Sequence, residues 1–397
     1  AASDVYKRQI YYKASRKVWA ATIDLGIAPN GKRIRREITS KSRNTVIRKR
    51  REALEQVARG TFTIGRKPLM SAWLPHWLEN IAAPRIRPRV AQNYASYIRV
   101  HLIPAIGARR IDKLSTDDIR HLHATMRANG ASPRTIQAVH NTLSKSLKDA
   151  VREELIFSNP CDRMDRPRAA SKARDAFSRG EVRLILEESK RMGAGVHSRW
   201  LAALILGARQ AELLGLEWDR VDLDAGTVDL SWQLQRIKWK HGDDCSCVGG
   251  MTPARCGERQ PDAPEGFEIR PCHAGVWFTR PKTAASVRIV PLPDMLADAL
   301  RQWREGSISE GLVWKRGGKP INPVADREEW KRICQAAGVR IMDVHSARHT
   351  MVSMLLDAGV SPEVIRQIAG HSTILSTRQY MHVSTEQAKA ALEMLGG

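Results

Sequence analysis

Residues 345–383 read HSARHTMVSMLLDAGVSPEVIRQIAGHSTILSTRQYMHV, and the interpretation of the whole chain turns on this stretch. His345 and Arg348 stand three apart, the spacing that places two side chains on one helical face. Gly370-His371 follows, and Tyr380 comes nine residues after His371. Between Arg348 and Gly370, Gly359, Ser361 and Pro362 punctuate helices. The imidazoles, the guanidinium and the phenol are therefore expected at helix starts and turns, where they can reach a ligand, rather than deep in a core.

Upstream, a buried helix is expected at Trp200–Leu206, followed by Gly207-Ala208-Arg209-Gln210-Ala211-Glu212-Leu213-Leu214. Arg209 and Glu212 are three apart and are expected on one helical face. An arginine at the edge of so apolar a run requires a partner or an anionic ligand. Taken alone, the pair reads as a structural ion pair. Lys282 lies in a strand, short turn, strand pattern spanning Arg280 to Leu292. Ser178-x-x-Glu181 marks a helix start by the capping-box rule.

Residues 68–168 read as all helix, with candidates at Ala72–Ala82, Pro88–His101, Thr116–Ala128 and Pro133–Glu154. Ser132 precedes Pro133 as a helix start prefers, and Ser115-x-x-Asp118 forms a second capping box. Trp73, Leu74, Trp77, Leu78 and Ile81 recur at helical spacing and read as core rather than as base-stacking residues. Arg87, Arg89 and Arg99 lie near expected helix ends and loops, good places for phosphate contacts. The basic, Ala-rich stretch from Arg163 to Arg174 reads as an interdomain linker.

Residues 10–67 read as a three-stranded sheet on one helix. Val18 to Leu25 alternates, Asn30-Gly31 is a hairpin turn signal, and Ile34 to Thr39 is the return strand. A helix from about Thr45 to Arg59 follows. Arg33, Arg35, Arg36 and Arg48 make this small module dense in positive charge, as a β-ribbon lying in a major groove would be. The bland alternative is a solvated edge strand protected by charge.

The chain of 397 residues suits two or three domains. Its net charge of +23 is unevenly spread: residues 1–67 carry 18 basic and 5 acidic side chains, 68–170 carry 16 and 9, and 171–397 carry 31 and 28. A basic front half points to nucleic acid, and solubility alone explains so large an excess poorly. No apolar run reaches the ~18 residues of a membrane span. No secretory signal is evident, and six cysteines are too few for a disulfide scaffold, so a reducing cytoplasm is the expected compartment. Residues 1–9 resemble a translated sequencing adaptor, and the natural N-terminus is expected to differ.

The ordered set Arg209 with Glu212, Lys282, His345-x-x-Arg348, Gly370-His371 and Tyr380 resembles the tyrosine recombinases, or phage-integrase-type site-specific recombinases. Each motif is weak alone, but the set in order over residues 209–380 is specific. The resemblance implies a multidomain, mainly α fold with small β-sheets: an arm-type DNA-binding domain at 10–67, a helical core-binding domain at 68–168 and a mixed α+β catalytic domain at 175–397. It implies that Tyr380 attacks the scissile phosphate, leaving a 3′-phosphotyrosyl bond and a free 5′-hydroxyl. Arg209 and Arg348 would clamp the phosphate, Lys282 would protonate the leaving oxygen, His345 and His371 would hydrogen-bond the phosphate, and Glu212 would orient its neighbours. No cofactor is implied. The implied partners are double-stranded attachment sites, a homotetramer on DNA, and accessory bending or excision proteins, with integration or excision of a phage or mobile element as the outcome. A type IB topoisomerase and a DNA-binding regulator are the alternatives.

One departure from that pattern is an insertion at about 239–276. It holds Cys245, Cys247, Cys256 and Cys272, with His241 and His273 nearby. Zinc could tie such a loop with thiolate and imidazole ligands, the four cysteines being its candidates, although Cys-x-Cys is an unusual ligand spacing. The alternative is a Gly/Pro-rich loop with incidental thiols.

Overall fold

The computed structural model describes residues 10–27, 33–58, 67–169, 175–242, 245–247, 251–281, 286–306 and 310–370, with the side chains of 24–27, 33–36 and 55–58 set aside. The chain divides into two units, 1–170 and 171–397. Among the described residues no helix is long and apolar enough to cross a membrane.

The first unit opens with β1 (Ile10–Lys13), β2 (Val18–Ile27) and β3 (Arg33–Ser40), an antiparallel sheet in the order β1-β2-β3. Helix α1 (Arg43–Ala58) lies against β2, and Val46 and Ala53 are buried together with Ala20, Ala21 and Ile23. On the sheet, Glu37 accepts hydrogen bonds from the Tyr11 hydroxyl and from Lys13 Nζ. The register sets Arg36 across from Ile23, Arg35 across from Asp24 and Arg33 across from Ile27. Asn30-Gly31 lies outside the described residues.

A helical bundle follows. It comprises α2 (Met70–His76, running on as a π turn, Trp77–Ala82), α3 (Pro88–Tyr97, with a π turn Ile98–Leu102 and a last turn Ile103–Ile106), α4 (Thr116–Ala128) and α5 (Pro133–Arg152). The caps are those the sequence specifies. The Ser115 hydroxyl accepts from the Asp118 N–H while Asp118 accepts from Ser115, and Ser132 caps α5 ahead of Pro133. Trp73, Leu74 and Trp77 pack with Leu102, Ile119, Leu122, Leu143 and Leu147 as one core. The Trp77 indole N–H donates to Asp149 at 2.8 Å, which satisfies its polar atom inside that core.

Two buried imidazoles, His123 on α4 and His140 on α5, face each other with ring centroids 5.2 Å apart. Burial, then the charges of His140 and Arg127, lowers His123 from 6.5 to about 4. Burial, then Arg166, lowers His140 as well. His123 therefore stays neutral in the folded bundle down to about pH 4, whereas in the unfolded chain it takes up a proton below about pH 6.5. The stabilisation is complete above that value and is lost as pH falls toward 4, at a cost on the order of 3 kcal/mol. Hydrogen exchange of α4 and α5 amides in the full chain, corrected for intrinsic rates, is expected to lose protection across this window, and less so in His123→Gln. Constant protection from pH 7 to about 4 would contradict a neutral His123.

In the second unit, α6 (Arg179–Arg191) starts at the Ser178–Glu181 capping box. Helix α7 (Ala194–Leu206) is apolar on nearly every side and is therefore buried, with Trp200, Leu201, Ala202 and Ala203 at its heart. Helices α9 (Asp294–Glu305) and α11 (His345–Asp357) pack on it. Short α8 (Gln210–Leu214), α10 (Pro323–Ala336) and α12 (Pro362–Ala369) complete the helices described. Arg199, 1% exposed, pairs with buried Asp326 at 2.8 Å between the rings of Trp200 and Trp314.

The strands are short: β4 (Val221–Asp222), β5 (Thr227–Asp229), β6 (Gln233–Arg236), β7 (Trp239–Lys240), β8 (Gln260–Pro261), β9 (Ile269–His273), β10 (Val276–Thr279), β11 (Ile289–Pro291), β12 (Lys315–Arg316) and β13 (Lys319–Pro320). The strand-turn-strand expected around Lys282 takes another form. Strands β10 and β11 do not pair with each other among the described residues. β10 pairs with β6 and β9, and β11 pairs with β5. Pro281 can donate no ladder hydrogen bond, the insertion's own β9 occupies one edge of β10, and Ser286 and Arg288 are drawn into a polar cluster described below. The tail from Ser384 to Leu395 lies outside the described residues.

Candidate active site

The buried helix α7 has to end where its apolar run ends. Gly207 closes it in the left-handed region, φ +53, where a side chain would be strained, and the chain turns outward to Arg209. Arg209 itself is extended (φ −69, ψ 148) and stands as the N-cap of α8. Arg209 and Glu212 are therefore not two residues of one helical face, as their spacing suggests. They meet because Glu212, in the first turn of α8, reaches back to the chain before it. Its carboxylate accepts the Arg209 N–H at 2.9 Å and Arg209 Nη1 at 2.5 Å.

Glu212 is fully buried and is shared with a second guanidinium, Arg288, whose Nη2 donates to it at 3.2 Å. Burial pushes the Glu212 carboxyl up, but Arg288, Arg209 and the backbone N–H of Arg209 outweigh it and hold the group below the usual carboxylate range. Arg288 is anchored further by donating to the carbonyls of Ile368 (2.7 Å) and Ser286 (3.1 Å). The Arg209 side chain remains about one-third exposed, with Nη1 3.2 Å from Ser286 Oγ and Nη2 3.2 Å from the Gly370 carbonyl.

A third arginine arrives from α11. Arg348 is buried and donates through Nη1 to the Gly207 carbonyl at 2.8 Å, two residues before Arg209. His345 begins α11, is exposed, and lies edge-on to buried His349 with ring centroids 4.6 Å apart. The structure thus brings together Arg209, Glu212 and Arg348, with His345 one turn before Arg348. Lys282, His371 and Tyr380 lie outside the described residues. Along the chain, however, Lys282 precedes Ser286 by four positions and His371 directly follows Gly370, and both Ser286 and Gly370 bond Arg209.

Ser286, Arg288 and the carbonyls of Gly207 and Gly370 are members of the site that no motif announces. For Arg288 there was one signal, a charged residue inside the run Val287 to Pro291. Chemically, one carboxylate locked between two guanidiniums orients them while leaving net positive charge, and such an edge suits an oxyanion.

The basic residues expected to meet phosphate divide by exposure. Arg48 is exposed beside Glu52, Arg89 and Arg99 are exposed, and Arg87 is half-buried as the N-cap of α3. For Arg33, Arg35 and Arg36 the backbone register given above is the extent of the description.

The thiol-rich insertion is ordered differently from expectation. Ligand atoms of His241, Cys245, Cys247 and Cys256 all lie within 4.8 Å of one another. Cys272, grouped with the other three cysteines from sequence, instead sits in β9 beside His273 and is outside this cluster. The pairing of β7 with β8 is what carries His241, rather than Cys272, to Cys256.

The profile of the Phage integrase family matches residues 271–387, and that of the phage integrase N-terminal SAM-like domain matches residues 70–126. The chain is 29% identical to an integrase of Saccharopolyspora erythraea over 424 aligned positions, covering 95% of this chain and 93% of that protein. Among solved structures, the Tn1549 transposon integrase in complex with a circular intermediate DNA superposes with a TM-score of 0.66 at 18% identity, covering 83% of this chain and 100% of that one. A lambda integrase tetramer bound to a Holliday junction gives a TM-score of 0.54 at 14% identity, covering 92% and 96%. At these identities the two structures establish the fold.

Proposed function

The chain belongs to the tyrosine recombinases of the phage integrase family, enzymes that break and rejoin DNA at specific sites, and from that membership we propose an integrase that moves a phage or mobile element through a covalent 3′-phosphotyrosyl intermediate. The observation that carries the proposal is the Arg209 guanidinium. Glu212 fixes it, and it contacts Ser286, four positions after Lys282, and Gly370, directly before His371.

In the proposed reaction, Arg209 and Arg348 bind the non-bridging oxygens of the scissile phosphate. The Tyr380 oxygen attacks phosphorus and the bond to the 5′-oxygen breaks. Lys282 supplies the proton that makes a free 5′-hydroxyl. His345 and His371 hydrogen-bond the phosphate, with His345 assisting transfer of the phenolic proton. Tyrosine ordinarily titrates near ~10, so the cationic site also favours its phenolate. The phosphotyrosyl bond retains the energy of the phosphodiester, and rejoining requires no nucleotide hydrolysis. Glu212 acts through the arginines it holds.

The partners proposed are double-stranded attachment sites and three further copies of the chain, because joining two duplexes takes four strand exchanges and so four active sites. The lambda integrase tetramer on a Holliday junction supports this stoichiometry by likeness of fold. Accessory bending or excision proteins would set direction. We further assign residues 10–67 to arm-type sites, 68–168 to the core site and 175–397 to catalysis.

The function is tested by recombination in cells between two plasmid-borne attachment sequences taken from DNA flanking the gene. Recombinants at one defined sequence support the proposal; relaxation of supercoils without recombinants, or binding without either, contradicts it. The domain assignment carries its own prediction. Deleting residues 1–67 removes most of the excess positive charge and is expected to abolish high-affinity binding to distal arm sites while sparing cleavage of an isolated core site. If the truncated protein binds a complete attachment site as the full chain does, residues 10–67 are not an arm binder.

A further inference from the structure

The insertion between β6 and β10 is a segment that folds without a core of its own. Among the described residues from 239 to 274, Gly242 and Cys256 alone are buried, and Cys256 is 1% exposed. A segment that hides so little apolar surface needs another constraint to hold one conformation. It nevertheless has definite structure: β7 pairs with β8, the Asp262 N–H donates to the Lys238 carbonyl at 2.8 Å, and the Arg259 guanidinium covers the Trp239 ring at 4.8 Å.

At its centre are three thiols and an imidazole. Cys245 Sγ is 3.3 Å from His241 Nδ1 and 3.3 Å from Cys256 Sγ, and the four ligand atoms all fall within 4.8 Å of one another. None of the three cysteines is in a disulfide. In a tetrahedral zinc site with Zn–S of ~2.3 Å and Zn–N of ~2.0 Å, ligand atoms stand roughly 3.5–3.8 Å apart, so the cluster needs only a small adjustment around an ion. The backbone is built toward this arrangement. Ser246 donates its N–H to the Glu258 carboxylate at 3.3 Å, so the chain turns between Cys245 and Cys247 and both thiols reach the same centre despite their close spacing. The Cys247 N–H points at Cys245 Sγ at 3.4 Å, an outer hydrogen bond of the kind that steadies a thiolate ligand. Gly242, next to His241, is pressed against the opposite strand, where a Cβ would come 2.4 Å from the Glu258 carbonyl oxygen. Any larger residue there would push His241 away from Cys256.

We propose that His241, Cys245, Cys247 and Cys256 bind one zinc ion that holds the insertion folded. A closed set of three thiolates and one imidazole is a structural donor set, with no open position for a substrate. Binding releases the three thiol protons. Cys272 is not a ligand. The site is separate from the phosphate-binding edge and stands or falls independently of it.

The test uses the full chain, purified without chelator or polyhistidine tag from zinc-supplemented culture. Elemental analysis is expected to find about one zinc per chain, as a closed site binds. Cys256→Ser and His241→Ala should each lose most of it, and Cys272→Ser should keep it. Cobalt substituted into the wild-type chain should give thiolate-to-metal charge-transfer and tetrahedral d–d bands, a readout that depends on no variant folding. Removing zinc with a chelator should speed tryptic cleavage at Arg255 and Arg259 while leaving helices α6, α7 and α11 resistant. Zinc well below one per chain with all six thiols titrating as free, iron in place of zinc, a Cys245–Cys256 disulfide in the isolated protein, or zinc lost in Cys272→Ser would each overturn the proposal.

Discussion

Tyr380→Phe is expected to abolish covalent attachment to DNA while leaving DNA binding unchanged. The substitution deletes one oxygen and no charge, so every arginine and lysine proposed to bind phosphate is kept. What it removes, in the proposed reaction, is the nucleophile. Deleting a covalent nucleophile costs on the order of 10⁴-fold or more in rate, because the other active-site groups have nothing left to activate. Denaturing gels of end-labelled attachment-site DNA report the covalent species, and mobility shift under native conditions reports binding. A phosphotyrosyl product from the Phe variant at more than a trace would mean that another residue performs the attack. Equal loss of binding and cleavage would mean that Tyr380 is structural.

Glu212→Ala is expected to be the most damaging single change among the residues whose contacts are described around the site. The carboxylate is fully buried and accepts from both Arg209 and Arg288. Its removal leaves Arg288, itself 9% exposed, as a buried cation without its carboxylate, a situation that costs about 3–5 kcal/mol. It also frees Arg209 to leave Ser286 and Gly370, so cleavage should fall by roughly 10²-fold or more even where the protein is folded. Glu212→Gln keeps the shape and one acceptor oxygen and should lie between the two. Urea unfolding of the second unit, followed by its buried tryptophans, measures the first effect, and single-turnover cleavage measures the second. An alanine variant within 1 kcal/mol of wild type would show that the two guanidiniums do not depend on Glu212.

How much of this was legible beforehand follows the range of the interaction. Ser115, Ser132 and Ser178 announced their helices correctly, because a cap is settled within four residues. Trp73 and Trp77 fall in the core as their helical spacing implies. Arg209 and Glu212 were correctly paired, but through the wrong geometry: spacing cannot distinguish a helical face from a cap that folds back. No motif marked Ser286 or Arg288 as site residues, because their partners are 77 and 76 positions away. The same holds for the insertion. Four cysteines within 28 residues suggested their own ligand set, whereas the β7–β8 pairing substitutes His241 for Cys272. The paired strands expected about Lys282 failed for a related reason, since the inserted β9 competes for the edge of β10.

Chemistry at Tyr380 is the centre of the proposed function, and a nicked suicide substrate probes it in one step. Cleavage of such a DNA releases a short fragment bearing the 5′-hydroxyl, so rejoining is prevented and the covalent species accumulates. The trapped complex is digested with protease and nuclease and the modified peptide is identified by mass spectrometry. The prediction is a single nucleotide adduct on Tyr380, attached through a 3′-phosphate and formed at one sequence within the attachment site. An adduct on any other residue, a 5′-phosphate linkage, or no covalent species from a chain that binds the same DNA would contradict it.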